Sequence, residues 1–119
     1  MPALSQRHAR PWLQIAIDTP DPDEVLRLAR WVGPYADIVE VGTLLLKSVG
    51  IRIIGEVRAT CPQARILADS KAPDVGGLEA NLILGSGADM MTVMANTTLP
   101  RFALRYRRVA GETRSSWPI

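Results

Sequence analysis

The sequence predicts an α/β fold built on a parallel sheet. Three observations carry that reading. Four short apolar runs alternate strictly with three helix-period segments. The runs are near-continuous in branched apolar residues, as in parallel strands covered on both faces. Three of them close on an acidic residue, at the edge where ligands bind in parallel α/β folds. Alternating strands and helices at this spacing imply right-handed crossovers.

The first strand is expected over Leu13–Ile17, closing at Asp18. Asp21-Pro22-Asp23-Glu24 is a helix start. Asp21 can cap free amide groups, Pro22 suits the first helical position and Glu24 completes a D-x-x-E box. Val25, Leu28, Ala29 and Val32 follow at helical spacing, and Gly33-Pro34 is the stop. A second strand is expected over Ala36–Val41, ending at Gly42. Residues 44–60 read as one helix, weakened by Gly50 and Gly55, with Leu46, Val49, Ile53 (or Ile54) and Val57 on one side. Arg65–Ala68 is a third strand ending at Asp69, residues 77–86 a third helix and Ala88–Met94 a fourth strand.

After Ala95 the alternation stops. Residues 1–11 are expected as a polar leader, residues 12–98 as the α/β body and residues 99–119 as a divergent basic tail. The chain has 119 residues and a formal net charge of +2. The tail holds Arg101, Arg105, Arg107, Arg108 and Arg114 against Glu112, so the body is mildly acidic. No aromatic-basic motif accompanies the arginines, so nucleic acid is not expected as a partner. No stretch nears the roughly 18 apolar residues of a membrane span. One cysteine, Cys61, excludes an internal disulfide and suits a reducing cytoplasm; it reads as an inert residue at a helix end. No G-x-G-x-x-G or phosphate-binding loop follows a strand, which argues against a nucleotide site. His8 reads as solvated, and Trp12, Trp31, Met90, Met91 and Met94 as packing residues.

The strand ends carry the candidate chemistry: Asp18, Glu40 and the segment Asp69-Ser70-Lys71-Ala72-Pro73-Asp74. Residues two apart on an extended chain share a side. Asp69 and Lys71 can therefore face one cavity, and Asp74 can return to it from the loop. A lysine between carboxylates is favoured in its charged form, able to donate a proton or hold an anion. Glu40 and Asp69 offer the hard oxygens that Mg²⁺ accepts.

Leu13–Asp18, Val39-Glu40-Val41-Gly42-Thr43, the D-x-K-x-x-D of Asp69, Lys71 and Asp74, and Gly87–Val93 occur in order. Together they resemble the N-terminal half of the orotidine 5′-phosphate decarboxylase superfamily, over residues 12–98. Orotidylate-specific members carry lysine where this chain has Glu40 and use no metal. Glu40 therefore resembles the metal-dependent branch, which holds the 3-hexulose-6-phosphate synthases and the 3-keto-L-gulonate-6-phosphate decarboxylases. The run Val75–Ala80 is more similar to the synthases.

The resemblance implies a TIM-type (β/α) barrel, limited here to about four βα units because a complete barrel needs at least about 200 residues. It implies Mg²⁺ on Glu40 and Asp69, and formaldehyde with D-ribulose 5-phosphate as substrates. Asp18 and Lys71 would bind sugar or enediolate oxygens. Lys71, Asp69 and Asp74 would form the catalytic set, Asp74 reaching into the partner's site of a homodimer. The phosphate site and the general base are expected from a barrel's second half. The competing readings are a ketogulonate-type decarboxylase and a half-barrel without catalysis.

Overall fold

The computed structural model describes residues 10–74 and 76–94. The expected leader, apart from Arg10 and Pro11, and the expected tail at 99–119 lie outside the described residues.

The elements run β1 (Gln14–Ile17), α1 (Pro22–Val32), β2 (Ile38–Val41), α2 (Thr43–Val49), α3 (Arg52–Thr60), β3 (Arg65–Ala72), α4 (Gly76–Gly85) and β4 (Met90–Val93). The strands form one parallel sheet in the order β1-β2-β3-β4. Sequential order with right-handed crossovers places every helix on the same face. This is the α/β architecture expected: among the described residues, three consecutive strand-and-helix units followed by a fourth parallel strand.

The α1 start follows Asp21, whose carboxylate accepts the amides of Asp23 at 2.9 Å and Glu24 at 3.4 Å. The expected reciprocal box does not close. Glu24 instead accepts the Thr19 hydroxyl at 2.8 Å, and that hydroxyl accepts the Asp21 amide at 3.3 Å. The threonine relays what the glutamate was expected to do directly.

The single helix expected over 44–60 is two. Gly50 adopts φ +80° and ends α2, with its amide donating to Leu46 O. A left-handed residue stops the α-helical ladder, and glycine enters that region without penalty. The third strand also runs past its expected end at Asp69, to Ala72.

The helix-facing side of the sheet is a dry core. Val39, Ile66 and Ala68 are wholly buried, with Ile17 and Val41 nearly so. Val25 and Ala29 of α1, Leu45 of α2 and Ile54 and Val57 of α3 close over them. Cys61 is buried here, its thiol 3.2 Å from the Ala29 carbonyl oxygen, and burial pushes its pKa up against an opposing pull from Arg58. It is the inert residue expected.

The opposite side corrects the expectation that both faces are covered. Gln14 and Ala16 are exposed and Glu40, Leu67, Met90 and Thr92 only partly buried; no described element packs over them. The register explains it. Ala16, Glu40 and Leu67 are lateral neighbours, so the apolar alternation of β1–β3 serves the helix side and leaves polar residues on the other.

At the amino ends of the strands, acids hold the sheet. Asp37, 3% exposed, takes both guanidinium nitrogens of Arg10 at 2.8 Å and the Leu13 amide at 2.9 Å. Asp89 accepts the Ile66 amide at 2.8 Å and pairs with Arg58, which also donates to Ala64 O at 2.9 Å and Gly87 O at 3.1 Å.

Candidate functional site

The carboxyl edge of the sheet gathers most of the sequence-predicted residues. β3 makes the arrangement possible through an irregular pairing with β4. Ala68 pairs with Met91 and Ala72 with Val93. Asp69, Ser70 and Lys71 therefore stand opposite one residue, Thr92. The surplus bulges outward, and bulges of this kind re-aim side chains. Lys71 takes φ +47° within it.

Asp69 is the hub. Its Oδ1 accepts the Thr92 hydroxyl at 2.7 Å. Its Oδ2 accepts the Thr43 hydroxyl at 2.9 Å and pairs with the Lys71 ammonium. Lys71 Nζ also donates to Thr43 Oγ1 at 2.8 Å. Burial alone would raise the Asp69 pKa. Hydrogen bonds from Lys71, Thr92 and Thr43, together with the Lys71 charge, outweigh it and hold the carboxyl below its ordinary value of 3.8. The side chain of Asp69 is 15% exposed and that of Lys71 52%, so the ammonium reaches solvent while its counter-ion stays sheltered.

Glu40 lies level with Leu67, two residues below Asp69 on the uncovered face, and accepts the Gln14 amide. Asp18 follows β1 at the level of Gly42. A Cβ on Gly42 would stand 2.6 Å from Asp18 Cγ and 2.9 Å from Ile17 O. Glycine therefore lets the Asp18 carboxylate lie against β2. Asp74 lies exposed in the bend after β3. The structure thus joins Asp69 and Lys71 directly, aligns Glu40 and Asp18 with them on one face, and leaves Asp74 at the rim.

Sequence reasoning missed three polar partners: Thr43, Thr92 and Gln14. Their signal was the two-residue period itself, which puts Gln14, level with Ile38, on the same face as Glu40 across β1 and β2 and Thr92 on the side of Asp69 across β3 and β4.

Among the described residues no three His, Cys, Asp or Glu side chains converge on a point that could hold a metal. Mg²⁺ asks for less, since it is held by one or two carboxylates with waters and substrate oxygens. Glu40 and Asp69, two carboxylates on one face of adjacent strands with oxygen lone pairs to spare, fit that donor chemistry. A cavity of about 260 Å³ between α2, β3 and α4 is walled in part by Thr43, Lys47, Asp69, Ser70 and Glu79. Among the described residues the Oε2 atom of Glu79, buried there, has no hydrogen-bond partner.

The sequence matches the orotidine 5′-phosphate decarboxylase / HUMPS family over residues 11–100. It is 39% identical over 84 residues to 3-hexulose-6-phosphate synthase of Mycobacterium gastri, covering 71% of this chain and 41% of that protein. It is 33% identical over 84 residues to 3-keto-L-gulonate-6-phosphate decarboxylase of Escherichia coli, covering 71% of this chain and 39% of that one. A crystal structure of 3-hexulose-6-phosphate synthase superposes with a TM-score of 0.82 at 34% identity, covering 88% of this chain and 50% of that chain. The chain spans about 40% of the length of these curated relatives. Four parallel strands alternating with helices, a carboxyl-edge pairing of Asp69 with Lys71, and a match over nearly the whole described region place this chain in the orotidine 5′-phosphate decarboxylase / HUMPS family.

Proposed function

We propose that these four strands and their helices supply the reacting end of a 3-hexulose-6-phosphate synthase-type site: a Mg²⁺-dependent aldol condensation of formaldehyde with D-ribulose 5-phosphate, working in the cytoplasm as a homodimer. One observation carries the reading. A sheltered, depressed carboxylate, Asp69, is paired with a solvent-reaching ammonium, Lys71, two residues above the level of a second carboxylate, Glu40. The acid at position 40 favours the metal-dependent branch of the family over the orotidylate branch. Higher identity to the synthase than to the ketogulonate enzyme favours the synthase within it.

Glu40 and Asp69 would hold the ion. When bound, it supplies Lewis-acid stabilisation of negative charge developing on the substrate oxygens. Lys71, bonded to Asp69, would donate hydrogen bonds to the enediolate oxygens and a proton to the product alkoxide, while the C1 proton goes to the separate general base. Asp18 accepts from sugar hydroxyls at the mouth of β1. Asp74, exposed in the bend after β3, would reach into a partner subunit's site. The phosphate site of such barrels lies after strands seven and eight, whereas the described residues form strands one to four. Remote phosphate binding energy is used at the reacting centre, and a general base typically contributes about 10²–10⁴-fold.

The test is formaldehyde consumption with ribulose 5-phosphate and Mg²⁺, by this chain alone and with the second half of a synthase barrel added. The expected result is near-background turnover alone, and activity with the second half that chelation, Glu40→Gln, Asp69→Asn or Lys71→Ala removes. Carbon dioxide release from 3-keto-L-gulonate 6-phosphate without formaldehyde consumption would move the chain to the decarboxylase branch. Metal-independent turnover would remove the ion from the reading.

A further inference from the structure

We propose that Thr92 is the positioning residue of this site, its hydroxyl fixing Asp69 and the Lys71 backbone in the one arrangement that turns the lysine ammonium onto Asp69 and Thr43. The inference rests on the reading that Asp69 and Lys71 form the reacting end.

A hydroxyl has one hydrogen to donate and lone pairs to accept with. Thr92 uses both on the same bulge. It donates to Asp69 Oδ1 at 2.7 Å and accepts the Lys71 amide at 2.9 Å. Its backbone carbonyl accepts the Ser70 hydroxyl at 2.9 Å. All three bulged residues are thus tied to one residue of β4.

The bulge creates the need for this. Three residues opposite one leave β3 amides out of step with the carbonyls of the neighbouring strand, and an amide left without an acceptor is costly. The Lys71 amide finds the Thr92 side chain instead. Lys71 also takes φ +47°, a conformation that a non-glycine residue keeps only where its surroundings enforce it. Left to an extended backbone, Lys71 would continue the strand rather than turn its Nζ back to Asp69 and Thr43. Thr92 reaches the chemistry only through these two residues.

The experiment compares Thr92→Val, which keeps the shape and loses the hydroxyl, with Thr92→Ser, which keeps the hydroxyl. Both are made in the full chain. Hydrogen exchange reads the Lys71 amide, calorimetry reads Mg²⁺ affinity and circular dichroism reads the fold. In Thr92→Val the expected result is loss of Lys71 amide protection and a fall of about 10–100-fold in Mg²⁺ affinity, the usual effect of removing a partner of a metal-binding carboxylate. In Thr92→Ser both return. Thr92→Ala answers the same question without added bulk if the valine variant does not fold. Unchanged Lys71 protection in the hydroxyl-free variants overturns the proposal. So does a serine variant that behaves like valine, since that would make the residue one of packing alone. Wild-type chain that binds no Mg²⁺ would count against the metal reading, and the exchange measurement would then decide Thr92 on its own.

Discussion

Replacing Lys71 by alanine and by glycine should reverse the order of stability that a strand residue normally shows. Both variants lose the same ammonium and the same bonds to Asp69 and Thr43. The difference between them therefore isolates the backbone. At an ordinary strand position glycine is the weaker residue by roughly 0.5–1 kcal/mol, because it gives up more conformational freedom on folding. Lys71 sits at φ +47°. There a side chain meets the following carbonyl oxygen, at a cost of roughly 1–2 kcal/mol that glycine does not incur. The strain exceeds the entropic handicap, so Lys71→Gly should be more stable than Lys71→Ala by about 0.5–1 kcal/mol.

The lost ion pair adds little to either comparison. The lysine side chain is 52% exposed, and exposed pairs contribute about 0–1 kcal/mol. Lys71→Gly should therefore fall close to wild type, although it lacks the ammonium on which the proposed chemistry depends. Urea unfolding followed by circular dichroism, with a chelator present, measures the difference, and equal m values show that the unfolded reference has not changed. An alanine variant at least as stable as the glycine variant would refute the reasoning. It would mean that Lys71 is not left-handed in solution, and the argument for Thr92 would lose its strain premise.

Three further outcomes follow from the same geometry. The Asp69 pKa lies below its ordinary 3.8. Its contribution to stability is therefore complete above that value and lost as pH falls through the lower folded value. Metal-free Asp69→Asn should be less stable than wild type at neutrality, with a gap that closes in acid below pH 3.8; a gap independent of pH would contradict the bonding described. Gly42→Ala should cost about 1–3 kcal/mol as overpacking, because its Cβ meets Asp18 Cγ at 2.6 Å and Ile17 O at 2.9 Å. Adding Asp18→Ala should recover part of that loss but not the backbone part, and strict additivity in a double-mutant cycle would show that the two residues do not touch. Glu79→Met should stabilise by about 1 kcal/mol, since an unpaired buried oxygen costs about 1–3 kcal/mol and the loss of an acid in the first turn of α4 returns only about 0.3–1. A destabilised Glu79→Met in urea unfolding would reveal a partner for Oε2.

The parts of this fold that were legible in the sequence are those where a side chain acts on its own neighbourhood. Asp21 and Pro22 announce α1 because a cap works within three residues. The acids at Asp18, Glu40 and Asp69 announce the site because strand period is local. The break at Gly50 was hidden because Leu46, Val49, Ile53 and Val57 continue a helical stripe across it, and only the left-handed φ of Gly50 divides them. The length of β3 was hidden for the opposite reason. Asp69, Ser70 and Lys71 are poor strand residues, and they join the sheet only because Thr92 lies across from them. Thr43 and Thr92 escaped notice as site residues because a neutral hydroxyl among apolar residues gives no signal until the register is known. The uncovered face escaped notice because a run such as Ile38-Val39-Glu40-Val41 reads as apolar overall. Its one acid shows which side faces away from the helices.

Aspartates at the two ends of this sheet differ in what they bond, and that difference separates structure from chemistry. Asp37 and Asp89 at the amino end each accept a backbone amide, from Leu13 and Ile66 respectively, and each is held by an arginine. A backbone donor cannot leave without breaking the strand, so these carboxylates are committed. The Asp69 carboxylate accepts from Lys71, Thr43 and Thr92, all through side chains. Side-chain donors can rotate away at the cost of a rotamer change, and Lys71, half exposed, is the most free of the three to do so. Asp69 can thus exchange one partner for a cation or a substrate hydroxyl while the other two keep it aimed. Loss of Thr43 or Thr92 should therefore damage the site more than the fold, whereas loss of Leu13 or Ile66 amide bonding through Asp37→Ala or Asp89→Ala should damage the fold itself. In the proposed function the carboxyl edge of the sheet would carry the chemistry because Asp69 is bonded reversibly, whereas Asp37 and Asp89 at the amino edge are bonded to the backbone and serve stability.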